Sequence, residues 1–236
     1  MTDRTPAPAP PPGHATGRRV LLAGATGLVG RELLQGLLAD PRVALVHALA
    51  RRPLDMSHAR LQVHLVDFRA LPQLPPLDEA YLALGTTIKI AGSQPAFRAV
   101  DFDANLAVAR AALAAGARRL GLVSAMGADA RSRVFYSRVK GELEAALAAL
   151  EPLDALVIAR PSMLHGDRAR LGQPARPGER WGLRVSQLLG PLIPAHYRAI
   201  AARDVARALL ARVPVARGRE QLLSGDMQPR LKRHQT

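Results

Sequence analysis

Tyr136 and Lys140 stand four residues apart in the segment YSRVK, and Ser124 lies upstream in VSAMGAD. Residues at i and i+4 share a helix face, so this spacing predicts a phenol and an ammonium side by side. A phenol is a weak proton carrier near neutral pH. A neighbouring ammonium favours the phenolate form and would let Tyr136 exchange a proton with a carbonyl or an alcohol. Such a group contributes roughly 10²–10⁴ in rate. Ser124, at the carboxyl end of an expected strand, would hold and orient the same oxygen. Lys140 is also conspicuous by composition. The chain has three lysines (Lys89, Lys140 and Lys232) among 33 basic residues, the rest being arginine. A compact ammonium can bind ribose hydroxyls and tune a phenol, which a guanidinium does less readily.

A second constellation is the glycine turn Gly24-Ala25-Thr26-Gly27-Leu28-Val29-Gly30. Between a strand and a helix, the first glycine permits a tight turn. The second lets the backbone approach a pyrophosphate, and the third lets the helix pack close to the strand. The helix N-terminus then offers free N–H groups and a favourable dipole to the phosphates. A carboxylate for a free ribose 2′-hydroxyl is expected about 20 residues further on. That region reads Ala50-Arg51-Arg52-Pro53, with no acid before Asp55, and Arg31 follows the third glycine. Guanidinium groups hold a 2′-phosphate with forked, charge-assisted hydrogen bonds. The expected cofactor is therefore NADP(H), preferred over NAD(H).

The elements that must position these residues can be read from the hydrophobic pattern. Apolar runs at Arg19–Ala23, Val43–Leu49, Leu61–Val66, Ala80–Leu84, Leu120–Val123 and Ala155–Ala159 read as strands. Helical periodicity marks Leu28–Leu38 and Ser137–Leu150, and a long Ala-rich helix is expected to end near Gly116. This alternation predicts an α/β fold: a Rossmann-type doubly wound parallel sheet with a small C-terminal lid. The expected organisation is a Pro-rich disordered tail at 1–17, one domain at 18–226 with a lid at about 165–200, and a basic frayed tail at 227–236. Trp181 and His165 in the lid region read as a packing aromatic and a polar loop residue.

The remaining composition excludes more than it assigns. The 236 residues contain no cysteine, which removes disulfides, thiolate metal sites and a Cys nucleophile. No His/Asp/Glu cluster has metal-ligand spacing, so no metal is expected. The net charge of +14 raises nucleic acid or a membrane surface as partners. There is no basic helix with interleaved aromatics, so specific nucleic-acid binding is not expected. No apolar run reaches the ~18 residues of a membrane span, and no secretory signal is visible. The expected location is cytoplasmic, with a small-molecule substrate as partner and a homodimer left open.

Taken together, GATGLVG, Ser124 and Tyr136-x-x-x-Lys140 resemble the short-chain dehydrogenase/reductase superfamily over about residues 18–212. LGTT at 84–87, VSAMGAD at 123–129, YSRVKGELE at 136–144 and RPGE at 176–179 resemble its atypical, Tat-interacting-protein-like branch. The resemblance implies that Asp67 and Phe68 contact adenine and that Leu84, Gly85 and Thr86 run along the cofactor. It also implies that Pro161 and Ser162, after Arg160, reach the nicotinamide. Asp101 stands where the superfamily often has an Asn of the proton relay, and an ionised aspartate accepts but cannot donate. The implied activity is hydride transfer between NADP(H) and a small carbonyl or alcohol, with Ser124, Tyr136 and Lys140 as the catalytic set. A nucleotide-sensing regulator with little catalysis is the alternative that the sequence leaves open.

Overall fold

The computed structural model of the chain describes residues 17–165 and 199–228. Seven strands form one parallel sheet: β1 (Arg18–Ala23), β2 (Val43–Ala50), β3 (Leu61–Leu65), β4 (Glu79–Leu82), β5 (Arg119–Val123), β6 (Ala155–Arg160) and β9 (Gly218–Leu223). Their spatial order is β3-β2-β1-β4-β5-β6-β9, and a short parallel pair, β7 (Leu164–His165) with β8 (Ile200–Ala201), stands apart. The chain runs outward from β1 to β3 and then returns to β4 on the other side of β1. The order therefore reverses between β1 and β4, which opens a crevice at the carboxyl ends of those strands.

Both faces of the sheet are covered, so the central strands are apolar at nearly every position. Val20 and Leu22 of β1 face α1 (Leu28–Ala39) and α6 (Ala202–Arg212), packing with Leu33, Leu37, Val205 and Leu209. Leu21 and Ala23 face the opposite layer, α4 (Asn105–Ala114) and α5 (Phe135–Ala148), packing with Val108, Leu143 and Leu147. The doubly wound α/β expectation is met. The β9 strand and α6 complete the sheet and one helical layer beyond the last strand expected from the pattern.

The long Ala-rich helix is instead broken. It comprises α2 (Ile88–Ala91), α3 (Gln94–Arg98), a π-helical turn at Ala99–Ala104, and then α4. Gly92 is left-handed at φ 84° and stops α2. Ser93 restarts the chain by capping α3, its Oγ accepting from the Ala96 N–H at 3.2 Å. The π turn widens the helix by one residue per turn and leaves both Asp101 and Asn105 fully buried. Strand β4 also ends at Leu82, two residues short of the expected limit, which frees residues 83–87 to line the crevice. The N-terminal tail, Trp181, most of the expected lid and the C-terminal tail from residue 229 lie outside the described residues.

On the outer side of the sheet, His47 of β2 and His64 of β3 meet ring to ring, Nδ1 to Nε2 at 3.0 Å. Burial pushes His47 down to about 4, with smaller contributions from His64 and Arg19, and burial also lowers His64.

Candidate functional site

The crevice is built first from the glycine turn. Gly24 adopts φ 93°, and a Cβ there would overlap the backbone of Ala83, just past the end of β4. A Cβ on Gly30 would overlap the carbonyl oxygen of Gly24, so α1 can lie against the turn only with glycine at that position. The Gly27 N–H donates to the Gly24 carbonyl at 2.9 Å and closes the turn. Helix α1 then begins at Leu28 with no side-chain cap and no acid in its first turn. Its first N–H groups are orphan donors beside a positive dipole end, the arrangement that a diphosphate requires. Thr26 is exposed, Leu28 is half-buried, Val29 is buried, and Arg31 projects to solvent.

The opposite wall is the strip after β4. The Thr86 N–H donates to Asp101 Oδ2 at 2.8 Å, and Asn105 Nδ2 donates to the Leu84 carbonyl at 3.2 Å. Two side chains from the π turn and the start of α4 thus clamp the strip on either side of Gly85. A Cβ on Gly85 would stand 3.6 Å from Asp101 Oδ1 and 3.9 Å from Lys140 Nζ. Lys140 Nζ itself lies 2.7 Å from Asp101 Oδ1, and both groups are buried.

Helix α5 carries the expected pair on one face. Tyr136 is half-buried in the first turn, its ring 5.5 Å from that of Phe97 and tilted 43° to it. Phe97 also meets Phe135 edge-on, with centroids 5.9 Å apart. Ser124, just past β5, is 5% exposed, and its Oγ donates to Glu144 Oε1 at 2.5 Å. Arg160 holds the same carboxylate in a fork, Nε to Oε1 at 3.0 Å and Nη2 to Oε2 at 2.5 Å.

The structure brings Lys140 together with the Leu84–Thr86 strip, and it sets the glycine turn across the β1/β4 crevice from them. Arg51 and Arg52 follow β2 and are exposed. Asp67 is exposed, its Oδ1 accepting from the Arg69 N–H at 3.0 Å, and the half-buried Phe68 packs on the α4/α5 layer. Pro161 is buried, and the Ser162 N–H donates to Ser224 Oγ at 2.9 Å. His165 falls in β7. Asp101's salt bridge, Asn105, Phe97 and Glu144 are the site groups that pattern reading missed. One signal was available: Glu144 follows Lys140 by four residues and falls on the face formed by Val139, Leu143 and Leu147, where a carboxylate needs a buried partner. Among the described residues, no group of three or more His, Asp or Glu could hold a metal ion.

An uncapped glycine turn facing a clamped strip at the switch point of a parallel sheet defines a dinucleotide-binding protein. A family model described as NAD(P)H-binding matches residues 24–213. The chain belongs to that family, and the expected likeness to the atypical, Tat-interacting-protein-like branch of the short-chain dehydrogenase/reductases is met by its relatives and by the fold of its structural neighbours. It is 35% identical over 169 residues to protein HTATIP2 of Rattus norvegicus, covering 69% of this chain and 67% of that one. It is also 35% identical over 170 residues to the mitochondrial protein fmp52 of Emericella nidulans, covering 68% and 71%.

Among solved structures, an oxidoreductase of the short-chain dehydrogenase/reductase family from Burkholderia thailandensis superposes with a TM-score of 0.65 at 20% identity, covering 90% and 94% of the two chains. MoeE5 in complex with UDP-glucose and NAD superposes with a TM-score of 0.64 at 19% identity, covering 86% and 75%. These likenesses carry the fold. The fungal relatives bear the designation mitochondrial, which overturns the expectation of a cytoplasmic protein. Among the described residues, no helix is long and apolar enough to cross a membrane.

Proposed function

We propose that the protein is an NADP(H)-dependent oxidoreductase acting on a small carbonyl or alcohol. The observation that carries this reading is the position of Lys140. It is a buried ammonium on the face of α5 that also bears Tyr136, and it lies against the Gly85 strip. The orphan N–H groups at the start of α1 would hold the diphosphate, with Gly24, Gly27 and Gly30 giving the backbone room. Arg31, Arg51 and Arg52 would hold a 2′-phosphate, Asp67 and Phe68 the adenine end, and Leu84–Thr86 with Pro161 and Ser162 the nicotinamide end. When bound, the nicotinamide supplies or accepts the hydride. Tyr136 holds the proton that the substrate oxygen gains or loses, Lys140 favours the charged phenol oxygen and anchors ribose hydroxyls, and Ser124 orients the substrate.

The test joins binding to turnover. NADPH should raise the melting temperature of the full chain, and NADPH oxidation should appear against a panel of small aldehydes and ketones. Tyr136→Phe should retain the NADPH-induced stabilisation and lose the oxidation. Turnover in Tyr136→Phe with an unchanged pH profile would sink the mechanism. One observation favours the sensor alternative: Asp101 offsets the charge of Lys140, which weakens its pull on the phenol. Tight NADPH binding with no turnover across the panel would select that reading.

A further inference from the structure

We propose that Phe97 is a positioning residue for Tyr136: it fixes the plane of the phenol ring, and with it the line along which the Tyr136 proton is passed. The inference rests on the proposed role of Tyr136 as the proton carrier of the site.

The proton of a phenol lies in the ring plane, because an oxygen lone pair conjugates with the ring. The plane therefore sets the direction of the O–H bond. The helix backbone does not set that plane, since the second side-chain torsion of a tyrosine is broad and two-fold. The attraction of Lys140 for the phenol oxygen follows distance and prefers no ring plane. What packs against the ring must supply the constraint.

Phe97 supplies it from α3. Its ring centroid lies 5.5 Å from that of the half-buried Tyr136, with the two planes 43° apart, within the 4.5–7 Å range of interacting aromatic pairs. Phe97 is itself fully buried and firmly held. Phe135 meets its ring edge-on, at 5.9 Å and 61°. The next residue, Arg98, stacks its guanidinium 4.3 Å from the centre of the Phe102 ring. Arg98 also donates from Nη1 to Glu142 Oε2 at 2.5 Å, which ties α3 to α5 six residues beyond Tyr136. Three of the four phenylalanines of the chain thus gather between α3, the π turn and α5. The two faces of the sheet are packed chiefly with leucine, valine and alanine instead. Leucine would meet a need for volume here as it does there; it would not offer a flat, stiff surface.

Phe97→Met keeps the buried volume and removes the flat face. In NADPH oxidation with a small aldehyde it should lower kcat by roughly tenfold to a hundredfold, the scale of a reacting group slightly out of place. KM for NADPH and the NADPH-induced rise in melting temperature should be unchanged. The solvent isotope effect on kcat should rise, because transfer of the Tyr136 proton becomes the slow step. A loss of folded protein would lower kcat without moving the isotope effect. Phe135→Leu removes a ring packed on Phe97 and leaves the Phe97–Tyr136 contact in place, so it should lose less. Phe97→Leu, which also lacks the flat face, carries the same expectations should the methionine variant fail to fold. One arm needs no turnover. Crystals of the full chain should show a single Tyr136 ring plane in the wild type, and in Phe97→Met a plane rotated by more than about 30° or split between two orientations. That arm decides the inference even if the wild type oxidises no NADPH, an outcome that would strike the enzyme reading alone. Wild-type kcat and isotope effect in Phe97→Met, or an unmoved ring plane, overturns the inference.

Discussion

Lys140 Nζ lies 2.7 Å from Asp101 Oδ1, and both side chains are almost sealed from solvent. The second oxygen of the same carboxylate accepts the Thr86 N–H at 2.8 Å. One aspartate on a π-helical turn therefore ties the helix bearing Tyr136 to the strip expected to run along the cofactor. An asparagine could serve Thr86, but it could not balance a buried ammonium.

This makes Asp101 the most sensitive residue of the site. Asp101→Ala leaves Lys140 buried and unpaired, which costs about 3–5 kcal/mol. Asp101→Asn keeps an acceptor for Thr86 and should cost less. Urea denaturation of the two variants checks the order. A loss under about 1 kcal/mol for Asp101→Ala would place the pair in the class of solvent-screened surface bridges.

The glycine turn yields a second prediction. A methyl group at Gly30 meets the Gly24 carbonyl oxygen, so α1 must move away from the turn. Gly30→Ala should abolish stabilisation by NADPH and destabilise the fold by about 1–3 kcal/mol, the usual cost of overpacking. Thr26→Ala, at an exposed position of the same turn, should leave stability within about 0.5 kcal/mol. Thermal melts with and without NADPH separate the two outcomes.

The contrast between these two predictions marks what the sequence could reveal. The Gly24–Gly30 turn was legible because its glycines answer a local backbone demand next to the run RVLLA, which is apolar because both faces of the sheet are covered. Tyr136 and Lys140 were legible because helix spacing is local too. The break after Ala91 was missed because the alanine-rich pattern outweighed the punctuation at Gly92, Ser93 and Pro95, which ends one helix and starts the next. The partners of Asp101 and Ser124 were illegible for a different reason. Lys140 reaches Asp101 from helix to helix and Glu144 reaches Ser124 from helix to the end of a strand, and nothing at Asp101 or Ser124 announces a group so distant in the chain.

The histidine pair sets a pH dependence. In the unfolded chain, histidine takes up its proton near 6.5, whereas buried His47 does so only near 4. Between these values the unfolded state binds more protons, so stability falls as the pH is lowered from about 6.5 and stops falling from this source below about 4. The loss from His47 approaches about 3 kcal/mol as a ceiling, at 1.36 kcal/mol per unit, and the lowered His64 adds in the same direction. Urea titrations at several values across this window should show the slope. His47→Leu should flatten it, and an identical slope in that variant would assign the acid sensitivity elsewhere.

The proposed preference for NADP(H) rests on the exposed arginines after β2. Arg51 and Arg52 follow the strand beside β1, and Arg31 leaves the first turn of α1. No carboxylate precedes Asp55 in the segment after β2, so nothing there would repel a 2′-phosphate. Each charge-assisted hydrogen bond to that phosphate is worth about 1.5–3 kcal/mol. Replacing both Arg51 and Arg52 with alanine should weaken NADPH binding by roughly tenfold to a hundredfold while leaving NADH binding nearly unchanged. Because the groups are exposed, the wild-type preference should also shrink as salt shortens the screening length from about 10 Å at 0.1 M to about 3 Å at 1 M. Arginine-to-lysine replacements should recover only part of the affinity, since a point charge lacks the fork. Titrations of both cofactors at two salt concentrations test all three expectations, and equal losses for NADH and NADPH in the double variant would remove the assigned preference.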